Sequence, residues 1–144
     1  MSQTLDVVLD TQVFLRALIN PKSAAGKLVQ DFRTDYVLWT AKQIDDEIID
    51  VLNRPKIRAK FPQITNAKVA IIRMLLEQAN RVELADDDIE PICRDPKDDI
   101  FLACAKKANA NYLVSEDKDL LVLKQHANTQ IVTVVAFLNV LDAY

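Results

Sequence analysis

Apolar and polar positions follow two rhythms along this chain: short unbroken apolar runs, and stripes that recur every three or four residues. The first run is Leu5 to Leu9, LDVVL, mostly β-branched and apolar except for Asp6. It predicts a strand buried on both faces. Thr11 to Ile19 has a helical rhythm that ends at Asn20-Pro21. Ser23 suits the cap of a second helix, SAAGKLVQDFRT, with Ala24, Leu28, Val29 and Phe32 on one side. Tyr36 to Trp39 reads as a second strand. Thr40 suits the cap of AKQIDDEIIDVLNR, which stops before Pro55. The following KIRAKF is short and basic. Thr65 to Asn80 predicts a long helix with Ala67, Ala70, Ile71, Met74, Leu75 and Ala79 turned inward. Arg81 to Leu84 is a third strand, and the acidic, irregular ADDDIEPICRD leads to a helix from Pro96 to about Ala108. Tyr112 to Ser115 and Ile131 to Val134 complete five strands, with a short helix, EDKDLLVLK, between them. Ala136 to Tyr144 forms a last helix. This alternation predicts an α/β fold with a mostly parallel sheet covered on both faces. With no repeat, low-complexity tract or internal linker, residues 1–144 read as one domain.

Composition removes several classes of function. The chain of 144 residues is 50% hydrophobic and 27% charged, which suits a packed core and not disorder. Its net charge of -3 supplies no global basic field, so nucleic-acid binding would need a local patch. MSQTLDVV lacks a basic n-region, and no run nears the ~18 apolar residues that span a bilayer, so a cytoplasmic protein is the expectation. Cys93 and Cys104 are the only cysteines and form no CxxC, so both read as reduced thiols, Cys104 in a helix core. His126 is the only histidine, which argues against His-based metal triads and Ser-His-Asp hydrolases. The single glycine, Gly26, excludes both GxGxxG and the P-loop, hence a nucleotide cofactor held in either way. Turns must use Asn, Asp and Pro.

Carboxylates fall where strands end. Asp10 follows the first strand, at the edge where open α/β sheets bind ligands, though Asp also serves there as an N-cap. In RDPKDDIFLACAKKAN, Asp95 and Pro96 mark a helix start. Asp98 then aligns with Phe101, Leu102 and Ala105 on the apolar stripe, while Asp99 is rotated off it. In YLVSEDKDLL, Asp117 suits a cap and a ligand role equally, and Asp119 reads as secondary. Ser115 suits either orienting an acid or a plain turn. The stripe Ile44, Ile48, Val51, Leu52 points Asp46 and Asp50 to solvent and leaves Asp45 and Glu47 as alternatives. If four acids converge, two charges about 4 Å apart repel by ~4 kcal/mol at an effective dielectric of ~20. They must then protonate or share a cation. An all-oxygen set without His or Cys suits Mg²⁺ or Mn²⁺, which assist water attack and leaving-group departure at a phosphodiester.

VVLDTQV, DEIIDVL followed by NRPKI, DPKDDIFLACA and NYLVSEDKDLL, in that order, resemble the PIN-domain ribonucleases, and most closely the branch of toxins from toxin–antitoxin pairs. The resemblance runs from Leu5 to about Val135. It implies a three-layer α/β/α sandwich with five strands in the order 3-2-1-4-5, and hydrolysis of single-stranded RNA with Mg²⁺ or Mn²⁺. It implies Asp10, Glu47, Asp98 and Asp117 as the metal-binding and catalytic acids, thus choosing Glu47 over Asp45, with Asp119 in an outer shell. Thr11 and Ser115 match supporting hydroxyls. Gln12 stands where the family usually has Asn, and Asp99 where Asn is frequent.

Arg54, Lys56, Arg58 and Lys60 suit a local basic cluster for RNA phosphates and an ordinary solvated basic turn equally, with Lys22, Lys27, Arg94 and Lys97 as further cations. Family likeness also implies an antitoxin partner or a second copy, received on the Phe14 to Ile19 and Ile57 to Ile64 stretches. Two other readings compete with the nuclease. A receiver domain wants paired acids after the first strand, where only Asp10 stands, and a dehalogenase-like phosphatase wants DxD, where Gln12 intervenes. A silent module acting through protein or RNA binding is the alternative that Gln12 suggests.

Overall fold

The structure, a computed structural model, describes residues 4–142. Strand β1 (Asp6–Leu9) runs through its middle. Val7, Val8 and Leu9 are all buried although successive side chains point to opposite faces, so helices cover both sides of the sheet. Beside β1 lie β2 (Val37–Thr40) and β4 (Tyr112–Val114), both parallel to it, with Val7 opposite Leu38 and Leu9 opposite Val114. With β3 (Asn80–Arg81), β5 (Gln125–His126) and β6 (Thr129–Val132), the full order is β3-β2-β1-β4-β6-β5.

The predicted α/β sandwich and its order 3-2-1-4-5 are therefore present, with one strand added. The predicted fifth strand is β6 (Thr129–Val132), and the extra β5 (Gln125–His126) is its antiparallel hairpin partner. The two residues of β5, Gln125 and His126, are both polar and too few to register as a strand. It follows Lys124 in the left-handed region, and Ala127, also there, turns β5 back into β6. The third strand is shorter than predicted, Asn80–Arg81, because the chain leaves the sheet after pairing with Trp39 and Thr40.

Helix α1 (Thr11–Ile19) has the predicted bounds. Ser23 caps α2 (Ala24–Gly26) by accepting from the Gly26 N–H, and the chain then widens into a π-turn over Lys27–Asp31. Gly26 is needed for close approach: a Cβ there would stand 2.2 Å from the Pro21 carbonyl oxygen. Gly26→Ala should cost about 1–3 kcal/mol through overpacking, read as a lower midpoint in urea unfolding.

Helix α3 (Lys42–Asn53) is followed by α4 (Pro55–Lys60), so KIRAKF is helical rather than a turn. Thr40 is not the α3 cap. Its hydroxyl donates to Asp45 Oδ1 at 2.7 Å, and Ala41 holds the cap position. Helix α5 (Asn66–Gln78) buries Val69, Ile72 and Leu76, not the predicted face, and leaves Ile71 and Met74 nearly half exposed. The stretch carries apolar residues around most of its circumference, so periodicity alone did not single out the packed stripe. Helix α6 (Asp99–Ala108) follows a 3₁₀ turn at Pro96–Asp98 and packs over β1, β2 and β4. Asn109, at φ 51°, ends it in the left-handed region without glycine. Helices α7 (Lys118–Leu121) and α8 (Val134–Asp142) complete the chain, and Phe137 of α8 packs its ring against Tyr36 and Tyr112. The predicted last helix reached Tyr144, which lies outside the described residues. Cys104 is buried in α6 and Cys93 is half-buried; both are free thiols. Among the described residues, no helix is long and apolar enough to cross a membrane.

Candidate metal centre

The chain leaves β1 toward β2 on one side, and leaves β4 toward β6 on the other. The carboxyl ends of β1 and β4 thus flank a topological switch point, where a crevice must open. Asp10 sits at the end of β1, and Ser115, Glu116 and Asp117 at the end of β4.

Asp10 is 3% exposed. One carboxylate oxygen accepts the Gln12 N–H at 2.6 Å, which caps α1, and the other accepts the Ser115 hydroxyl. Its backbone N–H donates to the Val114 carbonyl at 3.1 Å. Burial pushes its pKa up to about 6, against the lowering effect of these hydrogen bonds, and the charges of Asp117 and Glu116 add to the rise. Cap and site roles therefore coincide in one side chain.

Ser115 is fully buried and accepts the Asp117 N–H at 2.9 Å while donating to Asp10. Asp117 caps α7 by accepting the Asp119 N–H at 2.8 Å. Asp98, at the junction of the 3₁₀ turn and α6, has a buried Oδ2 without a hydrogen-bond partner. Burial, then the proximity of Asp117, raises the Asp98 pKa to about 7, with Asp95 and Asp10 contributing. Carboxylate oxygens of Asp98, Asp117 and Asp119 lie within 4.8 Å of one another. Asp119 thus stands close to Asp98 and Asp117. Its other neighbour is Arg94, whose Nε is 3.8 Å away.

A cavity of about 280 Å³ opens beside these groups. Asp10, Glu47, Asp98 and Asp117 all line it, together with Thr11. Glu47 reaches it from α3. Asp45 does not line it, being bound to the Thr40 hydroxyl and to Arg81 Nη2 at 2.5 Å. Of the two acids the helix wheel left open, Glu47 is therefore the one that lines the cavity. The Thr11 hydroxyl is buried and has no partner. Leu15, Val51, Ile57 and Phe101 supply the apolar part of the cavity lining.

The wheel reading of Asp98 and Asp99 needs correction. Asp99 is 4% exposed and is the more buried of the two. Its Oδ1 accepts the N–H groups of Ile92 and Cys93 at 3.1 and 2.7 Å, fastening the irregular acidic connection to α6. Helix α6 is buried around nearly its whole girth in this part, so no side of it is free to point away.

The predicted basic residues differ from one another. Arg54 lines the cavity and pairs with Asp50 at 3.0 Å. Lys56 is exposed. Arg58 donates to the Leu52 carbonyl and to the side chains of Asn53 and Asn66, so it braces the end of α3. Lys60 lies 5.4 Å from the centre of the Phe61 ring. Sequence reading gave Asp95 only a capping role. It accepts the Lys97 N–H and also lines the cavity, as does Lys97. The RDPKDD spacing was the available signal, since a cap beside Asp98 inherits its position.

A family profile described as PIN domain matches residues 6–119. The uncharacterized protein MJ1680 of Methanocaldococcus jannaschii is 31% identical over 121 residues, covering 83% of this chain and 76% of that protein. Among solved structures, VapC20 of Mycobacterium tuberculosis, a Sarcin-Ricin loop cleaving toxin, superposes with a TM-score of 0.55 at 17% identity. That likeness covers 86% of this chain and 98% of VapC20. PAE2754 of Pyrobaculum aerophilum gives a TM-score of 0.59 at 16% identity, covering 99% and 100% of the two chains.

Proposed function

Because the chain belongs to the PIN-domain family, we propose that it is a metal-dependent endoribonuclease of single-stranded RNA, the toxin of a toxin–antitoxin pair. It would act as one domain in the cytoplasm, with an antitoxin protein or a second copy as its protein partner. The observation that carries the reading is convergence. Acids far apart in sequence open onto one cavity, and one buried carboxylate oxygen there, Asp98 Oδ2, faces the Asp117 carboxylate and accepts no hydrogen bond.

The donor set fits a hard cation. Every candidate ligand is oxygen, and the raised pKa values of Asp10 and Asp98 record the repulsion and burial that a cation would relieve. Asp98 and Asp117 would hold Mg²⁺ or Mn²⁺, with Asp119 beside them and Asp10 and Glu47 on the same cavity. Such an ion supplies a water nucleophile at neutral pH and offsets charge on the leaving oxygen. The protein's own part is orientation. Gln12 and Ser115 fix Asp10, Asp117 is fixed through Ser115 and Asp119, and Thr11 keeps an unused hydroxyl at the cavity wall. No side chain needs to act as nucleophile.

The direct test compares cleavage of single-stranded RNA with added Mn²⁺, with Mg²⁺ and with EDTA. Cleavage that needs the cation supports the reading, and undiminished cleavage in EDTA removes it. Ser115→Ala tests the support around the acids. Losing a hydroxyl that serves Asp10 and Asp117 together should weaken Mn²⁺ binding by about 10–100-fold, measured by calorimetry.

A further inference from the structure

Of the two cations that line the acidic cavity, Arg54 is paired with Asp50. Lys97 is not: among the described residues, no carboxylate lies within 4.0 Å of its ammonium. This is unexpected for a lysine beside Glu47, Asp95 and Asp98. Its position is unfavourable on local grounds as well, since it lies in the 3₁₀ turn that leads into the positive end of α6. Yet its backbone is held firmly. Pro96 precedes it, and its N–H donates to the Asp95 carboxylate at 3.0 Å. The turn thus presents, on a fixed backbone, a flexible and unneutralised cation one residue from Asp98.

The place it occupies is specific. Lys97 and Glu47 line both the acidic cavity and a neighbouring open groove of about 430 Å³ along α3. Lys97 therefore stands on the lip between the two, one step outward from the carboxylates.

We propose that Lys97 is a positioning residue that binds a phosphate of the RNA backbone adjacent to the one being cut. The inference rests on the ribonuclease reading and narrows its substrate class to strands carrying a phosphodiester beside the scissile one. A flexible point charge suits this task, because it holds a phosphate without demanding a base sequence. Asp46 and Asp50 in the groove are each paired with a cation, Lys42 and Arg54, so Lys97 is the groove's unneutralised cation.

The test uses wild type, Lys97→Gln and Lys97→Arg with a fluorescein-labelled single-stranded RNA dodecamer. Binding is followed by anisotropy in EDTA over a range of KCl, and cleavage by initial rates with Mn²⁺. Lys97→Gln should weaken binding about five-fold and lower the slope of log affinity against log salt by about 0.7, the share of one phosphate contact. Its cleavage loss should fall on KM, and Lys97→Arg should restore both. A dodecamer with uncharged methylphosphonates flanking the cut should make wild type and Lys97→Gln alike. Equal affinity and equal salt slope in wild type and Lys97→Gln would overturn the proposal. Wild type that binds RNA but never cuts it removes the ribonuclease reading, while the slope still decides on Lys97. Wild type that neither binds nor cuts removes both.

Discussion

Asp10→Asn should reduce Mn²⁺-dependent RNA cleavage by about 10³-fold, the scale on which a single preorganised electrostatic group acts, without unfolding the protein. The two halves of this expectation come from the two oxygens of Asp10. One caps α1 through the Gln12 N–H, and an asparagine carbonyl keeps that bond. The other takes the Ser115 hydroxyl, and an amide can donate back to that oxygen. Shape and capping survive, and only the negative charge goes. Cleavage rates on single-stranded RNA, set beside circular dichroism of the same sample, measure both halves. A folded Asp10→Asn protein that cleaves at the wild-type rate would remove Asp10 from the chemistry.

Without divalent metal, the wild-type protein should lose stability as pH rises from about 4 to 7. Asp10 titrates near its ordinary 3.8 in the unfolded chain and near 6 in the folded one. Between those values the folded state binds more protons, so stability falls with pH. For Asp10 alone the loss is about 3 kcal/mol at most. Asp98, with its pKa raised to about 7, extends the fall to neutral pH, though its partial exposure to water reduces its share. Asp10→Asn should flatten this profile and be the more stable protein at pH 8. Mn²⁺ should reverse the loss in the wild type, by about 2.7 kcal/mol when free metal is 100 times its dissociation constant. Urea unfolding at pH 5, 6, 7 and 8, with EDTA and with Mn²⁺, checks both. A metal-free profile that rises with pH over this range would contradict the buried, crowded state of these acids.

Much of this arrangement was visible in the sequence because each local signal was strong. LDVVLD ended a buried strand at an acid, and Asp95-Pro96 started a helix that carries Asp98 into the site. Asp45 and Glu47 could not be separated by periodicity, since both lay near the apolar stripe of α3. The partner that removes Asp45 is Arg81, 36 residues away, and no local pattern encodes that ion pair. Asp99 failed for the same kind of reason. Its two partners are backbone N–H groups of Ile92 and Cys93, in a connection with no rhythm to read. On α5 the apolar residues outnumbered the contacts available, and the packing of Val69, Ile72 and Leu76 against neighbours decided which were buried. The hairpin partner β5 depends on turns made by Lys124 and Ala127, two residue types that rarely take that backbone shape.

Both borders of the central sheet are minimal. β3 and β5, the outermost strands, are two residues each. A border this short exposes few free amides and carbonyls, so it is a poor template for strand-by-strand growth into fibres. Crowded solutions of the protein should therefore stay clear of amyloid-like deposits, and lasting self-association would have to run through helical surfaces.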